Sequence, residues 1–189
     1  MKEQLERYIG DLNDETWRLL EQLLSKQTLK KEDILINEGE VCRYLWFLEK
    51  GAVKAYENCE GEYRTTHFFT DGSFITNYMS VISKQPSDII FKAVETCELL
   101  KIPYNRLEQL YNSNHKLEHI GRVMAELQFI AEFQLRRLHL TMDALERYEY
   151  LETRQPEVFV RFALKDIASF LGITPVSLSR LRKYRFDKK

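Results

Sequence analysis

Residues 164–183, LKDIASFLGITPVSLSRLRK, constrain the fold of this chain more than any other stretch. They read as two short helices joined by a tight turn. The first spans 165–171, with Ile167 and Leu171 on its buried face and Ala168 where two crossing helices approach too closely for a larger side chain. Gly172 follows as the turn residue, because a helix C-terminus often needs a left-handed conformation that glycine adopts cheaply. Thr174 is a natural N-cap, and Pro175 suits the first helical position, where its missing N–H is not needed. The second helix buries Leu178 and Leu181. Its opposite face carries Val176, Ser179, Arg180 and Lys183, with Ser177 and Tyr184 on the flank. This is the pattern of a helix-turn-helix, whose second helix enters the major groove of DNA. An ordinary pair of packed helices is the competing reading.

Charge favours the first. Residues 164–189 hold seven Lys/Arg and two Asp/Glu, a net +5 in a chain whose net charge is −1. A basic tail on an acidic body is the electrostatic footprint of a phosphate-binding surface.

The preceding chain divides by periodicity. Residues 3–25 carry Leu5, Tyr8, Ile9, Leu12, Trp17, Leu20, Leu23 and Leu24 at helical spacing, with Asn13 or Asp14 placed to cap a second helix. Residues 26–102 change to short β-prone runs, ILIN, YLWFLE, AVKAYEN, YRTTHFF, IIFKAVE and CELLKIP, separated by glycine or polar turns. Such spacing indicates a barrel or sandwich. The alternation lapses between Gly72 and Ser87, where a short helix or loop is expected. After Pro103 the chain turns helical: a short helix over 104–110, then a long one over about 115–140 with no proline and one glycine. In that long helix Leu117, Ile120, Met124, Leu127 and Ala131 follow a coiled-coil spacing, and Val123, Ile130 and Phe133 form a second stripe. A hinge is expected at 140–143 and a further helix over 142–154, ended by Gln155-Pro156.

The run KKEDILINEGEVCRYLWFLEKGAVKAY resembles the cyclic-nucleotide-binding β-roll of CRP/FNR-type transcription regulators, and RFALKDIASFLGITPVSLSRLRK resembles the short-tailed members of that family. The resemblance implies that Gly39, Gly51 and Gly72 close successive turns of the roll. It implies an α+β fold: an N-terminal double-stranded β-roll (jelly-roll) with flanking helices, a long dimerisation helix, and a C-terminal all-α helix-turn-helix domain. The expected domains are 1–140, including the dimerisation helix, and 141–189. One stripe of that helix would face its own roll and the other a twin helix; the seam of Leu117, Ile120, Met124, Leu127 and Ala131 is taken as the homodimer interface. The resemblance places Pro175, Val176 and Arg180 near base edges and Thr174 and Ser177 near phosphates. Arg180 suits O6 and N7 of guanine, and Val176 a thymine methyl. Five residues follow Tyr184, too few for the β-hairpin wing that the family commonly adds.

The chain departs from the family at the ligand cassette. Members that bind cAMP carry a Gly-Glu-Leu-like segment and, ten residues after the glutamate, an Arg-Ser-Ala-like segment. Their glutamate accepts from the ribose hydroxyl and their arginine pairs with the cyclic phosphate. Here Thr76, Asn77 and Tyr78 stand in the first segment, and Ser87, Asp88 and Ile89 in the second. The guanidinium is gone, and Asp88 would set a carboxylate beside an anionic phosphate. Lys84 and Lys92 lack arginine's bidentate fork. Binding of cAMP is not expected; the cavity would take another effector or be filled by Tyr78 and Phe91.

Other chemistry has little support. His115 and His119 lie one helical turn apart, a metal-binding spacing without a third ligand. The phosphate loop, nucleophile elbow and His-Glu-x-x-His motifs are missing, so no enzyme and no cofactor are expected. Cys42, Cys59 and Cys97 are odd in number and widely spaced, which suits reduced, mostly buried thiols. No apolar run approaches a membrane span, and the first residues lack the apolar core of a secretion signal, so the cytoplasm is the expected compartment. The expected partners are double-stranded DNA bearing an inverted repeat, a second copy of the chain, RNA polymerase and an effector of unknown identity. The alternative is a ligand-sensing or protein-interaction β-roll whose helical tail does not read DNA.

Overall fold

A computed structural model describes residues 1–186; the last three residues of the basic tail, 187–189, lie outside it. Two helices open the chain, α1 (Lys2–Ile9) and α2 (Asp14–Glu21). Asn13 caps α2, its side chain accepting from Thr16 N at 2.9 Å. Eight antiparallel strands follow: β1 (Ser25–Leu29), β2 (Ile34–Ile36), β3 (Tyr44–Lys50), β4 (Val53–Cys59), β5 (Glu62–Phe69), β6 (Phe74–Ile75), β7 (Ile89–Ala93) and β8 (Cys97–Pro103). They form two four-stranded sheets, ordered β1-β8-β3-β6 and β2-β7-β4-β5. Gly39, Gly51 and Gly72 all have positive φ at the turns of this roll. The helix α3 (Tyr78–Ser83) occupies the segment where strand alternation lapses.

Alternation of side chains puts one face of each strand between the sheets. Leu48, Val53, Ala55, Ile75, Ala93, Cys97 and Leu99 meet there and are almost fully buried. Cys42 and Cys97 are buried thiols and Cys59 is half-buried; all three are free. Strand β1 was not evident from the sequence, because SKQTL is polar and mostly exposed. Its place is fixed by pairing with β8 and by the Trp46 indole N–H, which donates to Gln27 Oε1 at 2.9 Å.

After the roll come α4 (Tyr104–Ser113), α5 (His115–Thr141), α6 (Ala144–Arg154), α7 (Val158–Arg161), α8 (Leu164–Phe170) and α9 (Pro175–Phe186). The start of α5 is fixed by the Asn114 side chain, which accepts from Lys116 N and Leu117 N. Asp143 and Glu146 form a capping box at α6, so the break between α5 and α6 falls at residues 142–143. The four-residue α7 is an addition to the expected elements.

The helices after α5 share a core with the roll. Phe68 of β5 lies against Phe162 and Phe170, with ring centroids 4.5 and 5.2 Å away, and Ala52 joins Tyr148, Leu151, Ile167 and Leu178 in the same cluster. Lys54 of β4 donates to Asp166 of α8 at 2.7 Å, and both side chains are largely buried. Ser169 accepts from Thr65 N at 3.0 Å and donates to Tyr63 O at 3.2 Å, so α8 covers the backbone of the edge strand β5. Arg161 bridges Asp71 and Glu95 of the roll.

Removing one member of a buried ion pair strands the other charge. Asp166→Ala is therefore expected to destabilise the protein by about 3 kcal/mol, read as a lower midpoint in urea unfolding. A midpoint equal to that of the unaltered protein would show that this pair does not hold α8 to the roll.

Candidate functional site

The turn between α8 and α9 is built as the sequence pattern requires. Gly172 has φ +67°, Ile173 N donates to Ala168 O at 3.0 Å and Gly172 N to Ser169 O at 3.0 Å, the paired bonds of a Schellman motif. Arg147 reaches from α6 to donate to Leu171 O and Met142 O, tying the turn to the start of α6. Thr174 caps α9 by accepting from Ser177 N at 3.1 Å. Ile167, Ala168, Leu171 and Leu178 are fully buried and Leu181 is half-buried. Thr174, Pro175, Val176, Ser177, Ser179, Arg180 and Lys183 are all exposed. Val176, Arg180 and Lys183 share one outward face, and Val176 is 61% exposed. The Ser179 hydroxyl donates back to Pro175 O at 3.0 Å, so it is partly engaged within its own helix. Among the described residues, no carboxylate pairs with Arg180, Arg182 or Lys183.

The segment corresponding to the nucleotide cassette is bonded to itself. Asn77 caps α3, accepting from Ser80 N at 3.0 Å, and its amide donates to Ser87 Oγ at 2.8 Å. Ser87 donates onward to Ile89 O at 2.6 Å. Ser80 accepts from Cys42 N and donates to Gln85 O, and Thr76 donates to Tyr44 O. Asn77, Ser80 and Ser87 are buried. The two positions that would carry glutamate and arginine therefore satisfy each other. One expectation is corrected: Asp88 is exposed and lines no part of the adjoining cavity, so its carboxylate does not face a bound phosphate. Lys92 is also engaged elsewhere, with Glu32 at 2.7 Å.

Between the roll and α5 lies a cavity of about 810 Å³. Tyr78 and Phe91 line it but leave it open. Its walls include Phe69, Phe74, Ile102, Leu107, Met124 and Phe129, with Thr76 and Asn77 at the cassette side. His67 Nε2 of β5 lies 3.0 Å from Glu132 Oε1 of α5 across one end. The hydrogen bond with His67 is the main cause holding the Glu132 carboxyl below its usual range; burial opposes it, and Gln128 helps by donating at 2.7 Å.

The sequence matches the cyclic nucleotide-binding domain family over residues 26–114. It is 26% identical over 176 residues to the regulatory protein HlyX of Actinobacillus pleuropneumoniae, covering 86% of this chain and 72% of that one. The fold is similar to that of FixK2 from Bradyrhizobium japonicum, with TM-score 0.70 and 19% identity, covering 87% of this chain and 85% of that one. It is also similar to the regulator CLP of Xanthomonas campestris, with TM-score 0.67 and 18% identity over 93% of each chain. The fold is that of CRP/FNR-type regulators.

Against that CRP/FNR-type fold, the seam read from the sequence needs correction. Leu117 and Ile120 are 1% and 6% exposed, buried with Leu5, Leu12, Leu20 and Leu107 of the same chain, and Met124 packs on that cluster. Leu117 and Ile120 are filled positions, and Met124 is half-buried. Leu127 and Ala131 are exposed. So are Ile130 at 50% and Phe133 at 63%, which belong to the second stripe. Both stripes have helical spacing, and only the placement of α1 and α4 decides which one the chain covers itself. The cavity residues His67, Tyr104, Tyr111 and Glu132 also escaped sequence reading; the seven-residue separation of Tyr104 and Tyr111 on one helix face was the available signal. His115 and His119 are exposed, His119 bonding to Arg122, and no metal-holding cluster occurs among the described residues.

Calorimetric titration with cAMP is expected to show no binding at micromolar concentration, because the cassette offers neither a guanidinium nor a free carboxylate. Tight binding would overturn this account of the Asn77–Ser87 bond.

Proposed function

We propose that this CRP/FNR-type chain is a homodimeric, sequence-specific DNA-binding transcription regulator that reads an inverted repeat through α9. The observation that carries the reading is the outward face of α9: Val176, Arg180 and Lys183 are exposed, and no carboxylate pairs with the two cations among the described residues. A surface helix whose cations are not used internally suits a polyanion. In this reading Thr174 and Ser177, exposed at the helix N-terminus, meet phosphates, Pro175, Val176 and Arg180 meet base edges, and Ser179 lies on the same DNA-facing surface. The relative HlyX is a regulatory protein, and CLP is a global regulator of virulence gene expression, which supports regulation over catalysis.

In this reading residues 1–140 form the sensor unit and 141–189 the reader. The protein acts in the cytoplasm, alongside RNA polymerase; no helix among the described residues is long and apolar enough to cross a membrane. The homodimer forms along the exposed stripe of α5, through Leu127, Ile130 and Phe133, with Ala131 beside them. An unpartnered apolar stripe at i, i+3, i+6 spacing on a 27-residue helix suits a twin helix. Two reading helices related by a two-fold axis then meet half-sites about 34 Å apart.

Selection of bound DNA from a random library tests the reading directly; recovery of no preferred sequence would count against it. On the selected site, Arg180→Ala is expected to cost about 1–3 kcal/mol and to relax preference at one guanine per half-site. Lys183→Ala should weaken all sequences alike and flatten the salt slope. Unchanged affinity and base preference in the arginine variant would remove α9 as the reader.

Ile130 is exposed in the protomer, so Ile130→Glu leaves the fold of a single chain intact while setting two carboxylates against each other in a dimer. Light scattering is expected to show a folded monomer. A dimer of unchanged stability would rule out this stripe as the interface.

A further inference from the structure

Three phenols meet inside the cavity between the roll and α5. Tyr104 and Tyr111 project from the same side of α4, and Tyr78 opens α3 beside them; all three line the space. They are close enough that Tyr104 and Tyr78 both act on the ionisation of Tyr111. No hydrogen bond from any of the three hydroxyls is found among the described residues, yet neither Tyr104 nor Tyr111 leaves a sealed, unpartnered oxygen. Their hydroxyls therefore open onto the cavity. Burial pushes the Tyr104 phenol up to about 12 and the Tyr111 phenol higher still, so both remain protonated donors at any physiological pH.

Gly121 explains how Tyr111 reaches this position. A Cβ at residue 121 would sit 2.6 Å from Tyr111 Cζ and 2.7 Å from its oxygen. Glycine in a helix interior costs about 1 kcal/mol against alanine. Its presence in the middle of α5 is accounted for by the ring that lies on its backbone.

The charges around the cavity do not call for an ion. Glu132 is matched by His67 and Gln128. Arg122 is held by Glu126 at 2.6 Å and by His119 at 2.8 Å. Glu118 borders the cavity as an exposed carboxylate, and Thr76 and Asn77 are bonded within the cassette segment. The other walls are mainly aromatic and aliphatic, and pockets of about 300–1,000 Å³ lined in this way suit small apolar molecules oriented by a few polar groups.

We propose that this cavity binds a neutral, largely apolar small molecule bearing an acceptor oxygen, with Tyr104 and Tyr111 donating to that oxygen. The ligand sits on Ala125 of α5, at the edge marked by the largely exposed Phe129, while Ile130 of the same helix faces away from the roll. An occupant therefore fixes how far the outward stripe stands from the roll. This regulatory consequence rests on the dimeric reading of that stripe; the binding does not.

The test uses two neutral dyes on the full chain: prodan, which carries one ketone oxygen, and pyrene, which carries none. Prodan is expected to bind at micromolar concentration with blue-shifted emission, unaffected by excess cAMP. Tyr104→Phe and Tyr111→Phe, made separately, should each weaken prodan about fivefold, the loss of one neutral hydrogen bond, and leave pyrene unchanged. Ala125→Trp, which fills the space from α5, should weaken both dyes by about tenfold or more. Thermal melts of each variant confirm the fold, and the tyrosine pair stands as an independent check where the tryptophan variant does not fold. Absence of prodan binding, equal affinity in the tyrosine variants, or retention of both dyes by a folded Ala125→Trp protein would overturn the proposal. So would displacement of prodan by dodecanoate far below the concentration of a neutral competitor, since that would show an anionic ligand class. DNA binding enters none of these readouts, so their failure is separable from failure of the regulator reading.

Discussion

The contact of α8 with β5 is the interaction on which the rest of this architecture depends. Strand β5 is the edge of its sheet, and an open edge presents unpaired N–H and C=O groups to any other chain. Ser169 occupies two of them, and Phe68 on the same strand enters the aromatic cluster with Phe162 and Phe170. The Lys54–Asp166 pair lies between these contacts, where exchanging either partner for an apolar residue would leave the other unmatched. Because Ile167, Ala168 and Leu178 share that core, holding α8 against the roll also fixes the angle at which α9 leaves it. The polar groups supply register, and Phe68, Phe162 and Phe170 each bring a large apolar surface to the contact.

The helix α5 divides its two sides between different tasks. Its first turns pack against α1 and α4, burying Leu117 and Ile120. Farther on it stands away from the roll, touching it through His67 and Glu132 and walling the cavity with Ala125 and Phe129. The opposite side carries Leu127, Ile130 and Phe133 into solvent. One rigid element thus borders both the space for a small molecule and the surface proposed for a second chain. A helix that is not packed along its middle can shift as a body, which is the physical condition for coupling the two.

The cassette segment keeps its fold with neutral residues at the two positions that carry charge in cAMP-binding members. A buried arginine and glutamate need a ligand, or each other, to satisfy their charges. Asn77 and Ser87 are neutral, short, and within 2.8 Å of one another, so the loop closes on itself and keeps α3 capped. What remains beside it is a cavity lined by the phenols of Tyr78, Tyr104 and Tyr111.

The sequence by itself determined the elements whose signals are local. The Ala168-Gly172-Thr174-Pro175 pattern specified the turn and both helices, because each residue answers a backbone requirement within a few positions. The glycine-punctuated β runs specified a barrel or sandwich, and the family resemblance a roll. The residues at 77 and 87 showed that the glutamate and arginine of a cAMP cassette are missing, since charge type is legible without coordinates. Only the tertiary structure decided what depends on distant partners. Strand β1 is polar and takes its conformation from β8, so no alternation betrays it. Asp88 adjoins the cassette in sequence yet turns outward, and the stripe of Leu117 and Ile120 is covered by α1 and α4, which periodicity alone could not know. Tyr78, Tyr104 and Tyr111 become a site because two helices converge on one cavity, and that convergence is a property of packing.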